Sequence, residues 1–320
     1  GGTLPTVTDA NVVLGYLDPG SPLGGDLSVD RVAAEIAVAR HIGDKLGLSS
    51  LEAAAKIVEV VNASMCEALR IVSIERGLDP AEFSLIAFGG AGPIHAVALA
   101  DELAIPMVLL PPAPGAFSAL GLVASDLRRD YSRTFYSDVG TADPALLGKA
   151  VEAMEAAGRA MLAEAGVPED RQELLRFADV RYPRQAYELT VPIEPGPITH
   201  EILQRLMAAF HRRHQQTYGH ANPDNPVQMV NVRVTATGRL PSIELVQRGR
   251  DSTKGVRRRQ AWFPGTGSVS CAVYWRDGLA PGDTLAGPAI IDALDSTAVI
   301  PPGWVGAVDP RGFVHLRRAA

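Results

Sequence analysis

The residues with the clearest capacity for chemistry form a glycine turn, Gly89-Gly90-Ala91-Gly92, between an apolar run at Leu85–Phe88 and a helix predicted from Pro93. A strand that enters a helix through glycines exposes backbone N–H groups beside the positive helix end, which suits a phosphate or another anion. The pattern fits equally a tight turn that needs positive φ and binds nothing. It does not fit a Rossmann site, because His95 replaces the third glycine and Leu109-Leu110 replaces the acidic residue.

Three polar side chains are candidates for catalysis next to such a ligand. His95 lies near the start of the helix, where its imidazole could reach the turn or pack against a neighbouring strand. Asp9 and Asn11 could hold a magnesium-bound water or a polar group of a substrate. Helix capping is the simpler role, because Thr8 and Asp9 stand where a helix through Val12 would begin. The residue types leave these alternatives open.

A group of histidines, His211, His214 and His220, raises the question of a metal site. The first two are three residues apart in a helix predicted over 199–217, so they share one face and could bind a metal ion. Two arginines intervene and no carboxylate joins them, which favours a solvated polar face. The sequence contains no GxSxG elbow, no HExxH helix and no Cys/His nucleophile pair, so no self-contained hydrolytic site is visible.

The elements that must position the glycine turn are predicted on both sides of it. Upstream, a capping box and apolar residues at helical spacing predict a helix over Ser49–Gly77. Downstream, Met107–Leu110 is a second apolar run of strand length, so the order strand–helix–strand predicts a βαβ unit with a parallel pair. A further helix is predicted over Phe117–Asp126, with Ser118 at its start.

Past Tyr136 the pattern changes to that of an α+β region. Helices are predicted over Leu146–Met161 and 199–217, and alternating residues predict strands over Tyr187–Ile193 and Val230–Thr237. From about Gln260, short β-rich runs separated by prolines and glycines predict a small sandwich or barrel. We therefore divide the chain into three domains, 1–136, 137–247 and 248–320.

Composition narrows the class of protein. With 320 residues, 47% hydrophobic and 21% charged, the chain can form two or three packed cores. It has no apolar stretch of membrane-spanning length and no export signal, so we expect a cytoplasmic protein. Its net charge of −6 disfavours nucleic-acid binding, and its two cysteines support neither disulfides nor a zinc knuckle. A basic run over Arg248–Arg259 is interpreted as a solvated loop.

Three strings carry a family resemblance: Thr6–Asn11, Phe88–Ala96 and Pro114–Gly121. With them the chain resembles the hydantoinase A/5-oxoprolinase family. Further matches extend the resemblance over nearly the whole chain, at Arg181-Tyr182, Tyr187–Leu189, Tyr218-Gly219, Val230–Arg233, Gly287–Ile291 and Pro301–Trp304.

The resemblance implies a fold and a nucleotide site. Members are similar to actin-like (ribonuclease H-like) ATPases, so this multidomain α/β and α+β chain would hold the second half of such a domain, followed by an α+β region and a small β-rich domain. Gly89, Gly90, Ala91 and Gly92 would then form the adenosine-side turn, with Ser118 as a further nucleotide contact. The family's phosphate loop, Asp-x-Gly-Gly-Thr, is expected well upstream of Thr6, whereas the chain opens with Gly1-Gly2-Thr3.

The resemblance also implies an activity. Family members use ATP, with Mg²⁺, to activate a cyclic amide such as a hydantoin or 5-oxoproline, and related members carboxylate ketones. We expect a C-terminal fragment of such a subunit, working with a second large subunit of hydantoinase B type and inactive alone, because half a cleft binds nucleotide weakly. The alternative of another class is a non-catalytic assembly module, in which the region from about Tyr136 binds a partner and the glycine turn is structural.

Overall fold

A computed structural model describes residues 2–20, 28–242 and 256–319 and divides the chain into two compact units. The first unit joins Gly1–Val123 to Glu244–Ala320, and the second is the continuous segment Ala124–Ile243. The α-helices of the described ranges are α1 (Val7–Val13), α2 (Arg31–Val38), α3 (Asp44–Leu46), α4 (Ser50–Val72), α5 (Gly92–Glu102), α6 (Phe117–Ala124), α7 (Pro144–Glu164) and α8 (His200–Tyr218). None of these helices combines the length and apolar character that crossing a membrane requires.

The strands are β1 (Ser84–Ile86), β2 (Met107–Leu110), β3 (Leu127–Asp138), β4 (Gln172–Arg181), β5 (Leu189–Ile193), β6 (Gln228–Gly238), β7 (Arg257–Phe263), β8 (Gly267–Trp275), β9 (Thr284–Ala286), β10 (Ala289–Asp292), β11 (Thr297–Ile300), β12 (Trp304–Val308) and β13 (Val314–Arg318). Within the ranges that the structure describes, these strands form three sheets.

The first unit contains the predicted βαβ unit. β1 and β2 pair in parallel, and α5 connects them. Both strands belong to the five-stranded sheet of order β1-β2-β13-β12-β9. The predicted helix before it is confirmed as α4, where Ser49 and Glu52 form a reciprocal capping box. A second sheet of the same unit has the order β11-β10-β8-β7, and α1 packs on α4 and α2. The strand that leads into the glycine turn is thus the edge strand of this sheet, and its neighbour β2 contributes the buried residues Val108 and Leu110.

The C-terminal strands are arranged differently from the separate domain expected over 248–320. β13 pairs antiparallel with β2, with Leu316 opposite Val108, and both side chains are fully buried. The β-rich segment therefore completes the core of residues 1–123, because β2 needs a partner on its second edge. Of the basic run, residues 248–255 lie outside the described part of the chain, and Arg257–Arg259 belong to strand β7 rather than to a loop.

The second unit is an antiparallel sheet of order β3-β6-β4-β5 with α7 and α8, in agreement with the predicted α+β region. Inward residues of β4, β5 and β6 form one core with residues of both helices, including Leu147, Leu203 and Phe210. β3 pairs with β6 over most of its length, so this unit begins before residue 137. The sequence did not predict β3, since charged residues interrupt its alternation.

Candidate functional site

The glycine turn follows β1 directly and is held at both of its ends. The Ala87 N–H donates to the Leu109 carbonyl at 2.9 Å, and the Gly89 N–H donates to the Pro114 carbonyl at 2.8 Å. Gly89 has φ +84°, so the turn needs a glycine there for its backbone conformation. Gly92 has no positive φ, and a β-carbon on it would meet nothing within 4 Å. Backbone geometry therefore explains Gly89 but not Gly92, where the absence of a side chain leaves open space.

The N-terminus of α5 opens on this space without a side-chain cap. Ala91 is the N-cap residue, and its methyl side chain cannot accept a hydrogen bond from the backbone N–H groups of the first turn. Pro93 has no backbone N–H to donate. Gly90, Ala91 and Gly92 are exposed. An uncapped N-terminus carries partial positive charge, so the turn provides an electropositive, sterically open surface.

Two other loops lie against the turn. The loop after β2 ends at Gly115, and a β-carbon there would overlap the side chain of Asp295, 2.5 Å from its Cγ. Asp295 belongs to the turn between β10 and β11, where the Thr297 N–H points at the Gly90 carbonyl, 3.4 Å away. The loops that follow the parallel strands β1 and β2 thus meet at one sheet edge, which is where ligands bind in open α/β sheets.

Helix α6 begins beside the turn and is exposed over most of its length. Its first residue, Phe117, has its ring 5.6 Å from that of Phe88, which immediately precedes the glycines. Ser118, in the first turn of the helix, is exposed. None of the residues of α6 is buried, and Leu122 retains 78% of its surface. The site therefore borders an apolar helix that is largely exposed within the described residues.

Arg276 fixes the loop after β2 from within the core. Its guanidinium is buried and donates to the carbonyls of Pro111 at 2.9 Å and Gly312 at 2.5 Å, with a longer contact to Leu110 at 3.4 Å. Burial lowers the pKa of Arg276 to about 10, so the group stays charged at neutral pH. One buried cation thus joins the end of β2 to the turn before β13.

His95 lies behind the turn rather than on its open side. It is 4% exposed, and its Nδ1 lies 2.8 Å from Oδ1 of Asn62 on α4. An amide oxygen only accepts, so His95 donates from Nδ1 and keeps Nε2 as an acceptor. Burial lowers the pKa of His95, which keeps the ring neutral. The structure thus favours the packing interpretation of His95.

This environment makes part of the stability of the first unit depend on pH. Because the folded pKa of His95 lies below its unfolded value of about 6.5, only the unfolded chain gains a proton as pH falls below 6.5. Stability is therefore complete above that pH and declines as pH falls toward the folded pKa. We expect urea midpoints to fall less between pH 7.5 and 5.5 in His95→Asn than in the wild type. An equal fall in both proteins would contradict this assignment.

Asp9 and Asn11 both lie in α1, and only Asp9 takes part in its capping box. Asp9 Oδ2 accepts from the Thr6 N–H at 2.7 Å, and the Asp9 N–H donates to Thr6 Oγ1 at 3.2 Å, so capping is confirmed with Thr6, not Thr8, as the cap. Asn11 is buried, and its Oδ1 has no hydrogen-bond partner within the described ranges. Neither side chain hydrogen-bonds to the glycine turn among the residues described. The structure does not bring them into the site.

His211 and His214 of α8 form hydrogen bonds within the second unit. His214 donates from Nδ1 to the His220 carbonyl at 2.7 Å and accepts from Gln185 at Nε2, 2.9 Å away. His211 Nδ1 lies 2.7 Å from the hydroxyl of Tyr182. No group of three or more potential ligands that could hold a metal ion occurs in the described part of the chain. Both nitrogens of His214 therefore serve packing.

Two grooves lie away from the glycine turn. A groove of about 1260 Å³ runs between α7, β4 and α8, and one of about 680 Å³ follows α4 beside Trp262. Neither is lined by a residue of the turn. We place the site at the turn despite their size, because there the open backbone, the helix N-terminus and the two neighbouring loops coincide. It is a surface rather than an enclosed cavity.

The chain is similar to known proteins over nearly its whole length. A family model described as hydantoinase/oxoprolinase matches residues 1–131, and one described as the hydantoinase/oxoprolinase C-terminal domain matches residues 137–319. An uncharacterized protein of Methanocaldococcus jannaschii is 37% identical over 99% of this chain and 45% of its own length. The caprolactamase subunit alpha of Pseudomonas jessenii is 32% identical over 99% of this chain and 47% of its own length.

Solved structures show the same relationship. The ATP-dependent caprolactamase of Pseudomonas jessenii superposes with a TM-score of 0.74 at 33% identity, covering 100% of this chain and 48% of its own. A nucleotide-free acetone carboxylase superposes with a TM-score of 0.80 at 25% identity, covering 98% and 46%. The chain thus spans about half the length of each of these four proteins. Because the two family models together match almost the whole chain, the chain belongs to the hydantoinase/oxoprolinase family.

Proposed function

We propose that this chain forms the adenosine-side wall of the nucleotide site in an ATP-dependent enzyme that opens a cyclic amide. The observation that carries the proposal is the uncapped helix N-terminus behind Gly92, where no backbone requirement explains the glycine. The similarity to a caprolactamase subunit and to an ATP-dependent caprolactamase structure supports a lactam or related ring as the substrate class.

The chemistry explains why ATP is required. Resonance makes an amide carbonyl a poor electrophile. Transfer of the γ-phosphoryl group to the carbonyl oxygen releases ADP and makes the carbon electrophilic. One water then adds to that carbon and the C–N bond breaks, which gives the free amine and an acyl phosphate. A second water hydrolyses the acyl phosphate, so the products are the ring-opened amino acid, ADP and phosphate. Mg²⁺ would neutralise the phosphate charge during the transfer. The residues described here would bind and orient the nucleoside.

The second wall of the cleft would come from the remainder of a longer, actin-like subunit. In that arrangement residues 1–136 supply the second half of the ATPase domain, and a hydantoinase B-type subunit completes the enzyme. The relatives that carry subunit names support an assembly of this kind. Nucleotide affinity would depend on both walls, because binding requires contacts from each and closure around the ligand.

Gly92→Val in the full-length subunit tests the proposal. The new side chain fills the open space before α5 without requiring a positive φ, so folding is preserved and nucleotide is excluded. We expect calorimetry to show ATP affinity at least about tenfold weaker, a difference of about 1.4 kcal/mol. Gly278→Val is the matched control, because Gly278 also lacks a positive φ and has nothing within 4 Å. Unchanged ATP affinity in Gly92→Val would remove the turn from the site.

The similarity to acetone carboxylase supports a second candidate, a subunit of an ATP-dependent ketone carboxylase. There ATP would activate a ketone or bicarbonate instead of an amide, and the same nucleoside wall would serve. Turnover of a ketone that requires bicarbonate, with no opening of hydantoin, 5-oxoproline or caprolactam by the same complex, would decide for the carboxylase.

A further inference from the structure

The turn between β10 and β11 places the side chain of Asp295 beside the proposed nucleotide site. Besides the Thr297 N–H directed at Gly90, the Asp295 carbonyl lies 3.3 Å from the position of a β-carbon on Gly90. The turn is closed by a hydrogen bond from the Ala293 N–H to the Ser296 carbonyl at 2.9 Å, and Ser296 and Thr297 are buried. Asp295 is therefore held on a fixed turn between the glycine turn and Gly115.

Among the described residues, the Asp295 carboxylate makes no ion pair and no hydrogen bond, and it is exposed. Asp292, three residues earlier, differs: it is buried and pairs with Arg259 at 2.5 Å. The side chain of Asp295 instead lies on the backbone of Gly115, where any β-carbon would displace it. This exposed carboxylate packs on Gly115 and is unpaired within the described ranges, so it is available to a ligand.

The sign of the charge restricts that ligand. A carboxylate accepts hydrogen bonds and repels phosphate, so a neutral, hydroxyl-bearing part of a ligand fits beside it. The adjoining α5 N-terminus favours negative charge. A nucleotide satisfies both when its sugar lies at Asp295 and its phosphates lie away from it.

We propose that Asp295 accepts hydrogen bonds from the ribose hydroxyls of the bound nucleotide and so selects ribonucleotides over deoxyribonucleotides. The inference rests on the proposed function, because it assumes that the glycine turn binds a nucleotide. The same type of contact, an acidic side chain to ribose hydroxyls, occurs in other α/β nucleotide sites. Here the acidic residue would come from a turn about 200 residues beyond the glycines.

The test compares ATP with 2′-deoxy-ATP and 3′-deoxy-ATP in calorimetry on the full-length subunit. We expect the wild type to bind ATP at least about tenfold more tightly than one deoxy analogue, because the analogue leaves the carboxylate without its donor. Asp295→Asn, which keeps the shape of the side chain, should lose most of this discrimination while thermal stability is unchanged. Asp170→Asn, another exposed carboxylate without a partner among the described residues, should retain it.

Gly115→Ala provides an independent arm. The added methyl group occupies the position of the Asp295 carboxylate, so this variant should lose discrimination although the carboxylate is still present. Wild-type discrimination in Asp295→Asn would overturn the inference while leaving the proposed function intact. A variant that loses only the Mg²⁺ dependence of ATP binding would also overturn it, by assigning Asp295 to the cation. Failure of the wild type to bind ATP would overturn the proposed function itself.

Discussion

Replacement of Gly15 by alanine is expected to lower the free energy of unfolding of the first unit by about 3–5 kcal/mol. Gly15 has φ +80°, and a β-carbon there would overlap the backbone oxygen of Gln260 on β7. The neighbouring contacts leave no room for adjustment: the Trp262 N–H donates to the Leu14 carbonyl at 2.9 Å, and the Tyr16 hydroxyl donates to the Trp262 carbonyl at 2.7 Å. The methyl group would separate α1 from the sheet.

Gly47→Ala is the matched control for this experiment. Gly47 also has positive φ, +66°, but a β-carbon on it would meet nothing within 4 Å. It should therefore cost only the conformational penalty of about 1 kcal/mol. The three tryptophans, Trp262, Trp275 and Trp304, all lie in the first unit, so urea unfolding followed by tryptophan fluorescence reports on that unit. Equal losses in the two variants would show that the contact with Gln260 has no special weight.

Arg276→Met should lower the stability of the first unit by about 3 kcal/mol. Methionine fills a similar space but donates nothing, so the carbonyls of Pro111 and Gly312 would be left buried without a partner. Arg276→Lys should recover only part of the loss, because one ammonium cannot reproduce the planar spread of guanidinium donors.

The control for Arg276 is Arg311→Met in the exposed turn before β13, which should change the free energy of unfolding by less than about 0.5 kcal/mol. The fluorescence assay used for Gly15 applies here as well. A loss at Arg276 no larger than that at Arg311 would mean that water replaces the guanidinium at the three carbonyls. The loop between Pro111 and Gly115 would then not depend on the buried cation.

The parts of the fold that the sequence predicted are those that depend on residues close together in the chain. The Ser49–Glu52 capping box, the apolar spacing of α4 and the strand–glycine–helix order around Gly89 each depend on residues within a few positions of one another. The pairing of β13 with β2 has no such signal, because short C-terminal strands in a separate barrel would have the same sequence pattern. The sequence therefore predicted a third domain over 248–320, whereas β9, β12 and β13 share a sheet with β1 and β2.

The candidate site divides in the same way. The glycine turn and the helix behind it were identified from sequence, and the structure adds that Gly89 is required by its φ while Gly92 is not. Asp295 and Arg276 were missed, since they enter the site through tertiary contacts with loops far away in the chain. Asn62, which orients His95, offered only one signal, a polar residue on a helix face that packs against α5.

The interleaved order of the two units has a consequence for the synthesis of the protein. The second unit is one uninterrupted segment, so it can fold as soon as residue 243 has left the ribosome. The first unit cannot close its five-stranded sheet then, because β13, which pairs with β2, has not yet been synthesised. During that interval one edge of β2 is unpaired, and an unpaired edge strand is prone to association with other chains. Slow translation of the segment from Glu244 through β13 would therefore lower the yield of folded protein through the first unit, and leave the second unaffected.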